Sequence, residues 1–268
     1  MITILGASGF IGSQLARKLA ADGAVYRAVG RNDPIPDENL GDVIYCIGVT
    51  ADFRTRLLDT VEAHVCALVQ LLDRHQFESL LYLSSTRVYA GAESSHEDKP
   101  LLVSPGNAPD LYNISKAMGE SIVLNCGRNA RVARLSNVYG PDFQSDNFLP
   151  SIVRDAVSRE KLVLHTSPES AKDYISVDDV VNALIQIATR GRERIYNVAS
   201  GINVSHRELA DKLRALTGCE VEFDADAPVA RFPPIDIERL RREFAFAPSS
   251  VLDDLPQLVE SYKTALVK

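Results

Sequence analysis

Ile2-Thr3-Ile4-Leu5-Gly6-Ala7-Ser8-Gly9-Phe10-Ile11-Gly12 opens the chain with a short apolar run, a glycine turn and the first residues of a helix. Ile2–Leu5 reads as a buried strand. Ile11, Leu15 and Leu19 then recur at helical spacing, and Gly23 ends that helix. A backbone that must come close to a phosphate needs residues without a Cβ, and Gly6, Gly9 and Gly12 supply three. The helix behind them directs free N–H groups and a partial positive charge at the same place. The spacing is G-x-x-G-x-x-G, not G-x-G-x-x-G. The stretch predicts a strand–turn–helix unit that holds a dinucleotide. By itself it predicts binding and not catalysis.

Further strands and helices alternate downstream. Ala24–Val29, Asp42–Ile47, Ser79–Ser84, Arg131–Leu135 and Arg194–Val198 read as strands, and Leu111–Cys126 as a helix. Leu57, Leu58, Val61, Val65, Leu68, Val69 and Leu72 form a stripe broad enough to pack on a sheet and on a second subunit. This rhythm predicts an α/β chain with a Rossmann-type, doubly wound parallel sheet. From about Asn147 the rhythm changes: a helix over Leu149–Val157, a strand over Leu162–His165, then a helix through Val180, Val181, Leu184 and Ile187. Asp178 and Asp179 are expected to cap that helix. Ser205-His206-Arg207-Glu208 is a capping box for the helix with Leu209, Leu213 and Leu216. Asp236 is expected to cap a short helix, and Val251–Leu266 reads as a terminal one. The expected layout is a dinucleotide-binding domain over 1–146, joined by about 173–200, and a smaller, discontinuous substrate-binding lobe over 147–268.

Composition narrows the class. The 268 residues suffice for a sizeable core, and 46% hydrophobic with 24% charged residues is ordinary for a globular protein. A net charge of −7 argues against nucleic acid as the partner. Cys46, Cys66, Cys126 and Cys219 are widely spaced and lack metal-binding neighbours, so reduced, packed thiols and no metal are expected. The chain starts almost directly in a strand, which leaves no room for a signal peptide, and no apolar run reaches membrane-spanning length. A soluble cytoplasmic protein without a membrane partner is the expectation.

Tyr112-Asn113-Ile114-Ser115-Lys116 places a phenol and an ammonium four residues apart on one helix face. A lysine beside a tyrosine favours the phenolate, which makes proton exchange with a hydroxyl feasible near neutral pH. Four further segments accompany it: Leu83-Ser84-Ser85-Thr86-Arg87-Val88-Tyr89, Arg134-Leu135-Ser136-Asn137-Val138-Tyr139-Gly140-Pro141, Lys172-Asp173-Tyr174-Ile175-Ser176-Val177-Asp178-Asp179 and Tyr196-Asn197-Val198-Ala199-Ser200-Gly201. In these motifs the chain resembles the extended short-chain dehydrogenase/reductase family, in its nucleotide-sugar epimerase, dehydratase and reductase branch.

The resemblance implies an NAD(P)-dependent enzyme in which Ser85, Tyr112 and Lys116 are catalytic. Ser85 and Tyr112 would bond one substrate oxygen, and Lys116 would also hold the nicotinamide ribose. The expected cofactor contacts are Gly6, Ser8, Gly9, Phe10, Ile11, Gly12, Arg31, Gly48, Tyr112 and Lys116. The expected substrate contacts are Ser85, Asn137, Asn147, Lys172 and Arg231. His64, where the family often has Asn, is expected to be structural, and His75, His96, His165 and His206 to be solvated or packed and not catalytic.

The chain also departs from the family. Dehydratases carry an Asp-Glu pair after the catalytic Ser or Thr, where Thr86 and Arg87 stand here. That ranks epimerisation or 4-keto reduction of a nucleotide sugar above dehydration. Lys172 replaces an Arg, which keeps the charge and loses the bidentate fork. Two other readings are reduction of a non-nucleotide carbonyl and a silent dinucleotide-binding sensor. The second strand ends at Gly30-Arg31, where an NAD-preferring chain would carry a carboxylate, so NADP is expected with NAD as the alternative. The apolar stripe over 57–72 predicts a homodimer.

Overall fold

The computed structural model describes residues 1–49, 52–107, 109–230 and 232–266. In chain order the strands and helices are β1 (Ile2–Leu5), α1 (Phe10–Ala21), β2 (Tyr26–Val29), β3 (Asp42–Tyr45), α2 (Leu57–Val61), α3 (Ala67–Arg74), β4 (Ser79–Ser85), α4 (Asp110–Asn125) and β5 (Ala130–Leu135). They continue with β6 (Asn137–Tyr139), α5 (Phe148–Ser158), β7 (Lys161–Leu164), β8 (Ala171–Ser176), α6 (Val177–Arg190), β9 (Ile195–Val198) and β10 (Asn203–Ser205). The last are α7 (His206–Thr217), β11 (Glu220–Phe223), α8 (Glu238–Phe244) and α9 (Val251–Leu266).

Six strands form one parallel sheet in the order β2-β1-β3-β4-β5-β9. Alternate residues of each strand face opposite sides, and both sides are buried. Ile4, Ile44, Leu81 and Ala133 meet Leu15 and Leu19 of α1 and Leu184 and Ile187 of α6 on one face. Leu5, Val43, Tyr45 and Tyr82 meet Leu68, Leu71 and Val123 on the other. Strands buried on both faces read as near-continuous apolar runs, which is why they were visible in the sequence. β2 and β3 flank β1 on opposite sides, and that reversal opens a crevice at the strands' carboxyl ends.

A second apolar core gathers Leu149, Ile152 and Val153 of α5, Leu162 and Leu164 of β7, Leu209 and Leu213 of α7, and Leu255, Leu258 and Tyr262 of α9. Two small sheets accompany it, β10-β8-β6 and β11-β7. Strands β6, β8, β10 and β11 are additions to the sequence reading; none exceeds six residues, too short for a pattern of their own.

Two local expectations change. Ser176, not the acidic pair, caps α6: its hydroxyl accepts from the N–H of Asp179, and the Asp179 carboxylate is bonded by Ser176 and Ser249. The 57–72 stripe is not one regular helix, because Glu62–Cys66 form a π-turn between α2 and α3. The capping box is present, with Ser205 and Glu208 bonded reciprocally. Asp236 accepts from the N–H of Glu238 at the start of α8. No helix among the described residues is long and apolar enough to cross a membrane.

Candidate active site

The carboxyl ends of β1, β3, β4 and β5 open onto a cavity of about 510 Å³. Gly9, Phe10, Ile11 and Gly12 line it from the first turn, Gly48 from the segment after β3, Ser85 from β4, and Tyr112 and Lys116 from α4. Asn137, Asn147 and Lys172 line its other side. Gly6, Ser8 and Arg31 lie outside this cavity's lining, around the end of β1 and β2, and Arg231 lies outside the described residues.

The glycine turn fits a dinucleotide. Gly6 has φ +85°, a left-handed conformation that favours glycine. A Cβ on Gly12 would run into the Gly6 carbonyl and stand 2.9 Å from the Ala7 Cα. The N-terminus of α1 has neither a side-chain cap nor an acidic residue in its first turn, so it keeps N–H groups for an anion. Gly48 keeps the floor open: a Cβ there would meet His64 Nε2 at 3.4 Å and Lys116 Nζ at 3.7 Å. Among the described residues no group of His, Cys, Asp or Glu could hold a metal ion.

Tyr112 and Lys116 are both buried, at 7% and 4% exposure. Burial pushes the Tyr112 phenol upward, while its hydrogen bond with Ser85 and the Arg87 guanidinium pull it back. The expectation that Lys116 would supply this pull changes. Its ammonium donates to the Leu83 carbonyl at 2.8 Å and lies 5.0 Å from the centre of the Tyr82 ring, so Arg87 is the cation that acts on the phenol. Lys116 itself is drawn down to about 7 by burial, against the opposing pull of Glu120 and Cys46.

That shift fixes a pH dependence. Lys116 falls from an unfolded value of 10.5 to about 7, so the unfolded chain binds more protons between those values. Stability from this group therefore rises with pH from about 7 towards 10.5 and is lost as pH falls through that window. Lys116→Met should raise stability over wild type most at pH 6. At pH 9 the advantage should be smaller by about 3 kcal/mol. Chemical denaturation of both proteins at the two pH values checks it, and a pH-independent difference would refute it.

The catalytic helix is held from behind. His64, wholly buried in the π-turn, bonds Ser115 through Nδ1 at 2.9 Å, accepts weakly from the Val49 N–H at 3.4 Å, and meets the Tyr112 ring edge-on at 5.2 Å. Burial and Lys116 lower its pKa to about 2, so it is neutral. Glu120, one helical turn beyond Lys116, forms a buried ion pair with Arg134 at 2.6 Å and accepts from Ser84. Arg134 also donates to the Tyr89 hydroxyl at 2.7 Å, and Tyr89 donates to Asn197 at 2.8 Å, which ties α4 to β5 and β9. Burial pushes the Cys46 thiol up to about 12, which disfavours its thiolate.

Lys172 is fixed by its neighbour. The Asp173 carboxylate accepts from the N–H groups of Ser200, Gly201 and Ile202 at 2.9, 2.7 and 3.1 Å, which pins β8 beside the end of β9. Lys172 then projects over the Phe148 ring at 5.5 Å, and His206 stacks on that ring at 4.2 Å. Asn137 donates to the Asp173 carbonyl at 2.7 Å. Asn147 precedes α5 without spending its side chain on a cap. Phe53, Arg54 and Phe148 also line the cavity. The sequence carried no signal for Phe53 and Arg54. For Phe148 and Glu120, proximity to Asn147 and a four-residue step from Lys116 were the only hints.

A model of the NAD dependent epimerase/dehydratase family matches residues 39–199, more than half of the chain. The chain belongs to that family. Its members are NAD(P)-dependent enzymes of the extended short-chain dehydrogenase type, and this chain is one of them. It is 29% identical to a dTDP-glucose 4,6-dehydratase of Streptomyces griseus, with 94% of this chain and 90% of that protein covered. Identity is 23% to a dTDP-4-dehydro-6-deoxy-D-allose reductase of Streptomyces bikiniensis, covering 98% and 96%. In fold, it superposes on RMD from Pseudomonas aeruginosa complexed with NADPH at a TM-score of 0.81 and 24% identity, over 98% of this chain and 99% of that one. The family match places the chain among NAD-dependent epimerase/dehydratase enzymes, and the two Streptomyces relatives named above act on nucleotide sugars.

Proposed function

We propose that this epimerase/dehydratase family member is an NAD(P)-dependent epimerase or 4-keto reductase of a nucleotide-activated sugar. One observation carries the reading: Ser85, Tyr112 and Lys116 meet in one cavity with the glycine turn, and the two residues after Ser85 are not carboxylates. Elimination of water needs an acid for the leaving hydroxyl and a base for the α-proton. Thr86 and Arg87 follow Ser85 instead. Of the carboxylates that line the cavity, Asp173 accepts from three N–H groups and Asp142 is bonded by Ser145, while Asp146 is exposed and 3.5 Å from Arg154.

In this reading Ser85 and Tyr112 hydrogen-bond one substrate oxygen, and Tyr112 gives or takes its proton. Lys116 would hold the nicotinamide ribose, and Lys172 and Asn147 the diphosphate. A nicotinamide bound there would supply the hydride exchange with the adjacent carbon. Mass spectrometry of the cofactor and nucleotide that co-purify with the protein tests the reading. A retained nicotinamide with a nucleoside diphosphate supports it; purified protein that binds neither refutes it.

For cofactor choice the reading is NADP. Gly30 leaves room at the end of β2, and the exposed Arg31 follows it. The Asp33 carboxylate turns back to accept from the Gly30 N–H at 2.8 Å, so it opposes Arg31 at a 2′-phosphate. Arg31→Ala should move the NADP-to-NAD affinity ratio about tenfold or more towards NAD, and Asp33→Asn should move it the other way. Unchanged ratios on titration of both cofactors would overturn the assignment.

The protein is also proposed to be a homodimer. Leu58 is 85% exposed on α2, and Leu57, Val69 and Met118 add to it along α2, α3 and α4. Light scattering at micromolar concentration should give twice the mass of the chain. A monomer there would contradict the assembly.

A further inference from the structure

Besides Lys116, three cations face the cavity without a carboxylate partner among the described residues. Arg54, Arg87 and Lys172 all line it, and none makes an ion pair among the described residues. Arg87 is the most constrained. Its Nε is buried without a hydrogen-bond partner, and its guanidinium lies 5.2 Å from the Phe53 ring, which carries Arg54 on it at 4.7 Å and Tyr112 at 4.8 Å. The carboxylate that faces Arg87, Asp110, is occupied: it accepts from the Ser104 N–H at 2.9 Å and from Asn113 at 3.2 Å. Burial and the mutual repulsion of these cations lower Arg87 and Lys172. A buried guanidinium donor with no acceptor is costly unless a ligand supplies one.

Lys172 belongs to the end with Phe148 and Asn147, where the diphosphate is placed above. The Arg87 guanidinium lies beside Phe53, whose ring packs on Tyr112, and its charge acts on the Tyr112 phenol. A nucleoside-diphosphate sugar brings two negative charges to three positive ones. A neutral sugar would leave Arg87 facing only hydroxyls.

We infer that the substrate is an acidic sugar, a nucleoside-diphosphate sugar whose ring bears a carboxylate close to the carbon that exchanges hydride. Arg87 grips that carboxylate, and Arg54 reinforces it across the Phe53 ring. The planar fork of Arg87 suits a carboxylate in bidentate fashion. This rests on the nucleotide-sugar reading above and adds to it the charge of the sugar.

The experiment begins by titrating UDP, dTDP, CDP and GDP into the protein to fix the nucleotide. The glucuronic acid and glucose derivatives of that nucleotide are then compared by kcat/KM for hydride exchange with NAD(P). Wild type should prefer the acidic sugar by about 10–100-fold, the worth of one charge-assisted pair. Arg87→Gln should bring that ratio to within about threefold of unity, and Arg87→Lys should restore part of it. Affinity of Arg87→Gln for the nucleoside diphosphate alone shows that the variant is folded; should it not fold, the wild-type ratio decides. Equal use of both sugars by wild type overturns the proposal, as does an equal loss on both in Arg87→Gln. Hydride exchange without preference for the acid removes this inference alone. Failure to bind any nucleoside diphosphate removes the nucleotide-sugar reading and this inference with it.

Discussion

Tyr112→Phe is expected to lower turnover by about 10²–10⁴-fold while the fold and the cofactor affinity persist. The Tyr112 phenol is held by both a hydroxyl partner, Ser85, and a cation, Arg87. Phenylalanine keeps the ring that packs on Phe53 and His64 and removes only the proton carrier. Steady-state kinetics with a 4-keto nucleotide sugar, alongside cofactor titration, measures both halves. Near-normal turnover would remove Tyr112 from the chemistry. Loss of cofactor binding with loss of turnover would assign it a packing role.

The largest effect on stability is expected at Glu120. Its carboxylate and the Arg134 guanidinium are each 3% exposed and share three hydrogen bonds, at 2.6, 3.0 and 3.2 Å. Glu120→Ala leaves a buried guanidinium with the Tyr89 hydroxyl and one carbonyl as partners. Removing one member of such a pair costs about 3–5 kcal/mol, because the remaining charge stays desolvated. Replacing both residues by apolar ones of similar volume should cost much less. Urea denaturation of Glu120→Ala and of Glu120→Leu/Arg134→Met separates these outcomes. Equal destabilisation in the two would show that the pair is worth its direct attraction and not its desolvation balance. The same change should depress Lys116 further, since Glu120 is the foremost group supporting its charge.

The sheet was legible because physics leaves it little choice. Strands such as Leu80–Leu83 are buried on both faces and must be apolar throughout, and the helix of Ile11, Leu15 and Leu19 must show a stripe. The glycine turn was legible because close backbone approach excludes side chains, a constraint that a sequence states directly. Asn137, Asn147 and Lys172 were found through the family resemblance, and the structure places them on the same cavity as Tyr112.

What escaped the reading lacks a period or depends on distant partners. Strands β6, β8 and β10 are three to six residues long and gain order only by pairing with each other. The π-turn at Glu62–Cys66 shows in no spacing rule, yet it carries His64 to the back of Tyr112. The partner of Lys116 could not be read either: helical spacing put it on the Tyr112 face, and a main-chain carbonyl 33 residues earlier took its ammonium. Phe53 and Arg54 reach the cavity from a loop whose residues carry no motif.

The central claim is that this family member passes hydride between a nicotinamide and a sugar carbon under control of Tyr112. It is tested most directly by incubating the protein with a nucleoside-diphosphate 4-keto sugar and NAD(P)H deuterated at the transferable position, then taking the mass spectrum of the sugar. Both an epimerase and a reductase must reduce that ketone. One deuterium on the sugar with wild type, and almost none in the same time with Tyr112→Phe, is the result predicted. A sugar that stays unlabelled with wild type, across the nucleotides the protein binds, would contradict the account.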